Sequence, residues 1–220
     1  MRLHTSRLEV RPLTLDDLQD FHALWSDPDV IFWGPSPDLR TSRRRLVDAL
    51  AHTIPGVEPS GWFAVRRRAD GAFVGDVVLQ PAPWHRDVAE IGWHVVRAHQ
   101  GQGYATEAAR VLLAHARDRG VATVEAVILP SNLPSQSVAV RIGMRRTGMV
   151  DHGGLPHDLW RWAPAAAPRP GPPVSGDRAA AGGAADGGGT TATPTVPPRA
   201  RRTRYGLGMR LRNVLPPPRS

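Results

Sequence analysis

The 220-residue sequence contains no cysteine and no lysine, and only two of its residues are tyrosine. Without cysteine the chain can form no disulfide bond, no zinc site built on thiolates and no covalent intermediate on a thiol. Without lysine it cannot contain the Gly-Lys-Ser/Thr sequence of a nucleotide-binding P-loop. No apolar run reaches the ~18 residues of a membrane span, and the first ten residues do not resemble a secretory signal. These absences predict a cytoplasmic protein without a membrane partner.

The positive charge is concentrated at one end of the chain. The formal net charge is +8, but residues 164–220 hold 9 Arg and 2 Asp and therefore account for +7 of it. This segment is rich in proline, glycine and alanine, and it has too little apolar surface to offset the entropy of ordering. We therefore predict one globular domain at 1–163 and a disordered tail at 164–220. The sequence predicts no nucleic-acid partner except through weak binding by the basic tail.

Hydrophobic periodicity predicts alternating strands and helices in residues 1–163. The pattern predicts strands at 7–13, 62–66, 73–79, 88–96, 123–129, 144–150 and 157–162. It predicts helices at 15–25, 104–119 and 135–142, and a further helix that ends at His52 with Thr41 as its cap. Asp70-Gly71 is typical of a hairpin turn, and Thr14 with Asp17 approximates a capping box. This order of elements predicts an α/β fold with a mixed, mostly antiparallel sheet flanked by helices.

The most informative segment is a glycine-containing loop between the strand at 88–96 and the helix at 104–119. Gly101 and Gly103 allow a ligand to approach the backbone, and the first N–H groups of a helix favour a phosphate or pyrophosphate. A dinucleotide-binding fold is disfavoured because Thr106 replaces its third glycine and Glu125 lies in mid-strand. A tight turn without a ligand stays an alternative.

Two motifs give this segment a family resemblance. Gln100-Gly-Gln-Gly-Tyr-Ala105 matches the Q/R-x-x-G-x-G/A acetyl-CoA motif of the GCN5-related N-acetyltransferases (GNAT). Residues 132–144 resemble the N-x-x-S-x-x-V-x-x-K/R-x-G-F/M stretch of their ribosomal-protein-alanine (RimJ/RimL-like) branch. The resemblance covers residues 7–163 and implies a GNAT acyl-CoA N-acyltransferase fold. It also implies acetyl transfer from acetyl-CoA, as co-substrate, to the primary amine of a protein N-terminus or a small molecule.

The resemblance further implies a set of residues for the cofactor. Backbone groups of Trp93 and Val95 would pair with the pantetheine arm, and the loop amides with Thr106 would hold the pyrophosphate. Asn132 would hydrogen-bond the cofactor, and Ser135 would lie near its sulfur. The full implied set is Trp93, Val95, Gln100, Gly101, Gln102, Gly103, Tyr104, Ala105, Thr106, Asn132 and Ser135.

Proton transfer has several candidates. Acetyl transfer needs a neutral amine and a protonated leaving thiolate, and the absence of cysteine favours direct attack in a ternary complex. Strand alternation puts Glu90 and His94 on one face, which makes both candidate bases, unless a bulge changes the parity. A structural role for Glu90 and simple packing of His94 stay open. The family often places a tyrosine near the sulfur, but this chain has only Tyr104 and Tyr205, so Ser135 or water would donate that proton. Ser135 as a helix N-cap is a compatible alternative.

Other classes of function stay open at this point. The main alternative is a non-catalytic acyl-CoA-binding sensor or scaffold, which would bind the cofactor without turnover. The spacing of the histidines matches no metal-binding motif, so we predict no metal. Either a monomer or a homodimer is compatible with the sequence.

Overall fold

The structure is a computed structural model that describes residues 2–31, 35–85 and 87–162. The tail predicted at 164–220 lies outside the described residues. The strands are β1 (Leu3–His4), β2 (Leu8–Pro12), β3 (Gly61–Arg67), β4 (Phe73–Pro81), β5 (Ala89–Val95), β6 (Val124–Ile128), β7 (Arg145–His152) and β8 (Leu155–Trp162). The helices are α1 (Leu18–Ser26), α2 (Leu39–Ala51), α3 (Tyr104–Asp118) and α4 (Leu133–Arg141). Within the described ranges no helix is long and apolar enough to cross a membrane.

The strands form one eight-stranded sheet in the order β1-β2-β3-β4-β5-β6-β8-β7. All neighbouring pairs are antiparallel except β5 and β6, which are parallel. A parallel pair needs a crossover connection, and α3 forms it. The prediction of a mixed, mostly antiparallel sheet with flanking helices is confirmed.

Helices cover both faces of this sheet, and strand alternation decides which side chains meet them. Trp62 and Ala64 of β3 pack with Phe21, Trp25 and Leu46 on the face covered by α1 and α2. The intervening residues contribute to a larger core on the opposite face. That core includes Phe63, Val65, Val77, Leu79 and Ile91 with Ala108, Leu112, Val138 and Ala139 of α3 and α4. We call these two sides the α1/α2 face and the α3/α4 face.

Two helices begin earlier than the sequence predicted, because the capping residue differs. Helix α2 begins at Leu39, and the side chain of Asp38 accepts a hydrogen bond from the Thr41 N–H at 2.7 Å. Helix α4 begins at Leu133, and Asn132 is its N-cap, with a side-chain oxygen 3.1 Å from the Ser135 N–H. The N-cap role suggested for Ser135 is therefore wrong. The short strand β1 was not predicted.

A buried charge network ties the start of α1 to the sheet. The carboxylate of Asp17, whose residue is 1% exposed, accepts hydrogen bonds from Arg11 at 2.6 and 2.8 Å and from Arg66 at 2.9 Å. The backbone N–H of Thr14 also donates to it at 2.9 Å, which confirms the predicted capping pair. Burial alone would raise the pKa of Asp17, but these hydrogen bonds outweigh it and hold the pKa well below its usual range.

We expect Asp17→Asn to lower the free energy of unfolding by about 2–4 kcal/mol, because it removes the anion that two arginines share in a buried site. Since the lowered pKa belongs to the folded state, the stabilisation is complete above the unfolded-state pKa of ~4. It is lost as pH falls through the folded-state pKa. Thermal melts at pH 7 and pH 3 measure both effects.

Asp20→Asn is the matched control for this change. Asp20 also bonds Arg66, at 2.6 Å, but its side chain is 42% exposed, and exposed pairs contribute about 1 kcal/mol or less. Equal losses of stability in the two variants would contradict a special role for the buried carboxylate.

Candidate active site

The parallel strands β5 and β6 separate soon after they begin to pair. Their register consists of Ala89↔Val124 and Glu90↔Glu125, after which residues 91–95 of β5 and 126–128 of β6 border a gap that we call the cleft. The N–H of Ala89 donates to Thr123 on the β6 side, whereas the N–H of Val96 donates to Val74 on the β4 side. Because backbone groups alternate in direction along a strand, those of Trp93 and Val95 face the cleft.

The glycine loop lies at the open end of the cleft. Gly101 and Gly103 have φ values of 74° and 80°, in the left-handed region that favours glycine. Gly103 is the N-cap of α3, so the first N–H groups of that helix face outward from the loop. The side chains of Gln100 and Gln102 donate to the carbonyls of Val95 and Ala98, at 3.1 and 3.2 Å. The loop therefore offers an anion its main-chain amides.

An ion pair anchors this loop to the first strands. Arg7 donates to the Glu107 carboxylate at 2.7 Å and to the Gln102 carbonyl at 3.1 Å, and it lies 4.6 Å from the ring centroid of buried Tyr104. Thr5 donates to the other Glu107 oxygen at 2.5 Å. Burial acts to raise the pKa of Glu107, but the Thr5 and Arg7 contacts outweigh it and lower that pKa. These contacts of Thr5 and Arg7 with Glu107, which we call the clamp, could not be predicted from the sequence, because no local spacing connects positions so far apart.

Two cavities border the clamp. One, of about 590 Å³, is lined by Arg7, Gly103, Thr106, Arg110 and Arg141 among others. The second, of about 460 Å³, is lined by Ser6, Arg7, Arg67, Arg68, Ala69 and Tyr104. Each therefore presents three arginines close to α3, a composition suited to phosphate groups, although the Glu107 carboxylate also lines the first cavity.

We expect Glu107→Gln to weaken acetyl-CoA binding about tenfold, because the loop loses its charged anchor; tenfold corresponds to ~1.4 kcal/mol. Titration calorimetry measures the change. Asp118→Asn is a matched control, since Asp118 is the last residue of the same helix and has no ion pair among the described residues. Unchanged affinity in Glu107→Gln would show that the loop keeps its shape without Arg7.

Glu90 lies on the α1/α2 face at the point where the strands part. Its carboxylate accepts a hydrogen bond from the Gln80 amide at 2.8 Å, and the Gln80 carbonyl accepts one from the Trp62 indole at 3.0 Å. Burial raises the pKa of Glu90, although the Gln80 hydrogen bond and the charge of His94 act to lower it. A carboxylate with a raised pKa suits proton transfer near neutral pH.

His94 shares that face, because β5 pairs with β4 without a register shift. The parity predicted for Glu90 and His94 therefore holds. His94 Nδ1 lies 2.7 Å from Asp76 Oδ1, and the Trp25 indole donates to Asp76 Oδ2 at 2.8 Å. The rings of His94 and Trp62 are parallel within 5°, with centroids 6.2 Å apart.

Asp76 and Gln80 were not predicted as site residues. The connection between β4 and β5 is too long for turn chemistry to fix which residues of those strands face each other. The sequence indicates these two residues only by their polar character, since Asp76 and Gln80 lie on the same face of an otherwise apolar strand.

The remaining predicted site residues, Asn132 and Ser135, lie on the β6 side of the cleft. The side chain of Asn132 caps α4, and Ser135 lies in the first turn of that helix. The hydroxyl of Ser135 makes no hydrogen bond within the described part of the chain. Glu125 is buried and bonds Arg161 at 2.8 Å and Trp84 at 2.6 Å. This engagement contradicts a ribose-binding role for Glu125.

The sequence model of the acetyltransferase (GNAT) domain matches residues 7–145. The chain belongs to the GNAT acetyltransferase family. It is 33% identical over 146 residues to YkkB of Bacillus subtilis (strain 168), covering 65% of this chain and 84% of YkkB. It is 28% identical over 149 residues to the N-acetyltransferase YnaD of the same strain, covering 67% and 85%. The expected enzyme class, an acetyl-CoA-dependent N-acetyltransferase, is confirmed.

Solved structures confirm the GNAT fold. A GNAT-family acetyltransferase from Bordetella pertussis superposes with a TM-score of 0.64 at 27% identity, over 74% of this chain and 99% of that one. Two structures with coenzyme A share the fold at lower identity. They are RimL, a ribosomal alpha-N-protein acetyltransferase (TM-score 0.61, 18% identity, 74% and 97% coverage), and the aminoglycoside acetyltransferase AAC(6')-Ib (0.60, 20%, 71% and 95%).

Proposed function

We propose that this GNAT enzyme acetylates a primary amine, that of a protein N-terminus or a small molecule, by direct attack in a ternary complex. In this proposal acetyl-CoA lies along the cleft, and the acceptor binds on the α1/α2 face. The observation that carries the proposal is the parting of β5 and β6 directly after Glu90 and Glu125. The cleft runs from the glycine loop to Glu90, a carboxylate whose pKa is raised by burial.

The residues around the cleft fit acetyl-CoA. Backbone groups of Trp93 and Val95 point into the cleft, where an amide-bearing arm can satisfy them. The loop from Gln100 to Ala105, with Thr106, offers amides for a pyrophosphate at the start of α3, and the arginines of the two cavities lie beside it. Acetyl-CoA supplies the acetyl group as a thioester.

Glu90 is the proposed proton acceptor for the attacking amine. Its position at the closed end of the cleft and its raised pKa both suit this role. Ser135 is the proposed donor to the leaving sulfur, because its hydroxyl lies in the first turn of α4, beyond the end of β6. No covalent acyl-enzyme on a thiol is possible, since the chain has no cysteine.

The charges on the α1/α2 face favour an acceptor with one amino group at the site. Asp76 contacts His94 and Trp25, and Glu125 is paired with Arg161. Glu90 is thus the carboxylate of this part of β4, β5 and β6 that, among the described residues, neither pairs with an arginine nor has both oxygens engaged in hydrogen bonds. A polycation needs several such carboxylates, whereas an N-terminal amine needs one. This favours the RimJ/RimL-like branch over aminoglycoside acceptors.

Calorimetric titration of the full chain with acetyl-CoA, followed by measurement of CoA release, tests the proposal. The acceptors are peptides with N-terminal alanine or serine, monoamines, spermidine and an aminoglycoside. We expect micromolar binding and turnover with peptides or monoamines. Binding without acetylation of any acceptor would support the non-catalytic sensor instead. Absence of binding would contradict the assignment of the cleft.

A further inference from the structure

We infer that Asp76 is a positioning residue for acetyl transfer: together with Trp25 it fixes His94 as the group that takes the proton from Glu90 and returns it to solvent. This inference rests on the proposed function, in which Glu90 receives the proton of the acceptor amine.

The carboxylate of Asp76 determines which nitrogen of His94 carries a proton. Asp76 is fully buried, at 0% exposure, and both of its oxygens are engaged, one by His94 Nδ1 and the other by the Trp25 indole. A carboxylate only accepts hydrogen bonds, so Nδ1 must carry the hydrogen. Nε2 is then the nitrogen that gains and loses a second proton.

The ring of His94 is also held in place by its aromatic neighbours. Trp25 lies 4.8 Å from its centroid at 59°, and Trp62 lies parallel to it at 6.2 Å. Trp25 therefore contacts the ring and also bonds the carboxylate that orients it. The Trp25 indole thus links the His94 ring to the Asp76 carboxylate.

His94 lies between Glu90 and the open end of β5. The two side chains share one face, and a positive charge on His94 lowers the pKa of Glu90. The side chain of His94 is 17% exposed, whereas that of Asp76 is inaccessible. The two residues are four apart on the strand, roughly 13 Å between their Cα atoms, so in this proposal water molecules between the side chains carry the proton from Glu90 to His94.

The transfer changes only O–H and N–H bonds. The Glu90 carboxyl loses the proton that came from the amine, and His94 Nε2 gains it. The imidazolium then releases that proton to solvent, and the Nδ1 hydrogen stays on its bond to Asp76. Glu90 is ionised again for the next turnover.

Nitrogen-15 NMR of the histidine rings in the full-length protein tests the geometric part without any acceptor. His94→Gln assigns the His94 signals. We expect the neutral ring to carry its proton on Nδ1 in the wild type and on Nε2 in Asp76→Asn. The reason is that Trp25 donates to the amide oxygen of the new side chain, which leaves its NH₂ group to donate to Nδ1. An unchanged tautomer in Asp76→Asn would overturn the inference.

Steady-state kinetics with the best acceptor tests the functional part. We expect Asp76→Asn and His94→Gln each to lower kcat about 10–100-fold, with the Kd for acetyl-CoA within twofold of the wild type. Because Asp76 acts through His94, the double variant should be no slower than His94→Gln alone. A loss equal to the product of the two single effects would overturn this.

Asp158→Asn is the matched control, since Asp158 is also a buried sheet carboxylate and forms an ion pair with Arg146, with 2.7 Å between nitrogen and oxygen. We expect its kcat to stay within twofold of the wild type.

Should Asp76→Asn fail to fold, Trp25→Phe is the second variant, because it removes one of the two hydrogen bonds to Asp76 and keeps an aromatic ring. We expect Trp25→Phe to lower kcat less than Asp76→Asn does, and to have no effect on kcat in the His94→Gln background. A loss of kcat that persists in that background overturns the inference. Acetyl-CoA binding without turnover in the wild type would contradict the proposed function instead, and the tautomer measurement would still decide whether Asp76 positions His94.

Discussion

Acetyl-CoA binding is expected to fall at least about 100-fold in Gly103→Asp, which corresponds to ~2.7 kcal/mol. Gly103 has a φ of 80°, and it is the N-cap of α3. A side chain here strains the backbone by about 1–2 kcal/mol, and the new carboxylate lies where the helix presents its N–H groups to a pyrophosphate. Titration calorimetry measures the loss.

Two further variants separate charge from strain. Asparagine tolerates the left-handed conformation better than most residues, and it carries no charge. The Gly103→Asn variant should therefore bind acetyl-CoA more tightly than Gly103→Asp. Gly120→Asp adds the same group after the other end of α3, at a φ of 79° with no atom within 4 Å of the new Cβ. We expect that control to bind as the wild type does. Equal affinity in Gly103→Asp and the wild type would remove the loop from the cofactor site.

Glu90→Gln is expected to lower kcat by about 10²–10⁴, the range for loss of a general base, while leaving the Kd for acetyl-CoA unchanged. The amide keeps the size of the side chain and a partner for Gln80, but it cannot take a proton. Glu90→Asp keeps the carboxylate and shortens its reach, so we expect an intermediate rate. Stopped-flow or steady-state release of CoA measures all three enzymes.

The raised pKa of Glu90 gives this prediction two further signatures. Since the base must be ionised, kcat in the wild type should fall as pH falls through that pKa, and Glu90→Gln should lack this limb. A carboxyl group whose pKa is raised in the folded state is harder to ionise there than in the unfolded chain. Its ionisation therefore lowers the free energy of unfolding at pH values above that pKa. Glu90→Gln should therefore melt at the same temperature as the wild type or higher at pH 7. Full activity together with a lower melting temperature would make Glu90 a structural acid.

Local patterns were sufficient to predict most of the fold. Alternation in β5 placed Glu90 and His94 on one face, and the glycines at 101 and 103 marked the start of α3. These features depend on neighbours in sequence, so periodicity and turn chemistry determine them. The two motifs at 100–105 and 132–144 then supplied the family.

Contacts between distant segments could not be predicted in the same way. The pairing of Asp76 with His94 depends on the register across β4 and β5, and the pairing of Arg7 with Glu107 depends on how α3 crosses the sheet. The hydrogen bond from Arg66, which lies in a run of three arginines at the end of β3, to buried Asp17 before α1 also joins positions far apart in the sequence. In each case the sequence shows a charged residue, but it does not show which residue that charge pairs with.

The cleft also has a consequence for the handling of the ligand-free enzyme. Where β5 and β6 part, the sheet has two unpaired edges in its interior, bordered by Ile91, Trp93 and Val95. Unpaired strand edges can accept a strand from another chain, which is a route to aggregation. A ligand lying in the cleft covers these edges. Saturating acetyl-CoA should thus protect concentrated preparations from self-association more than its effect on stability alone would explain.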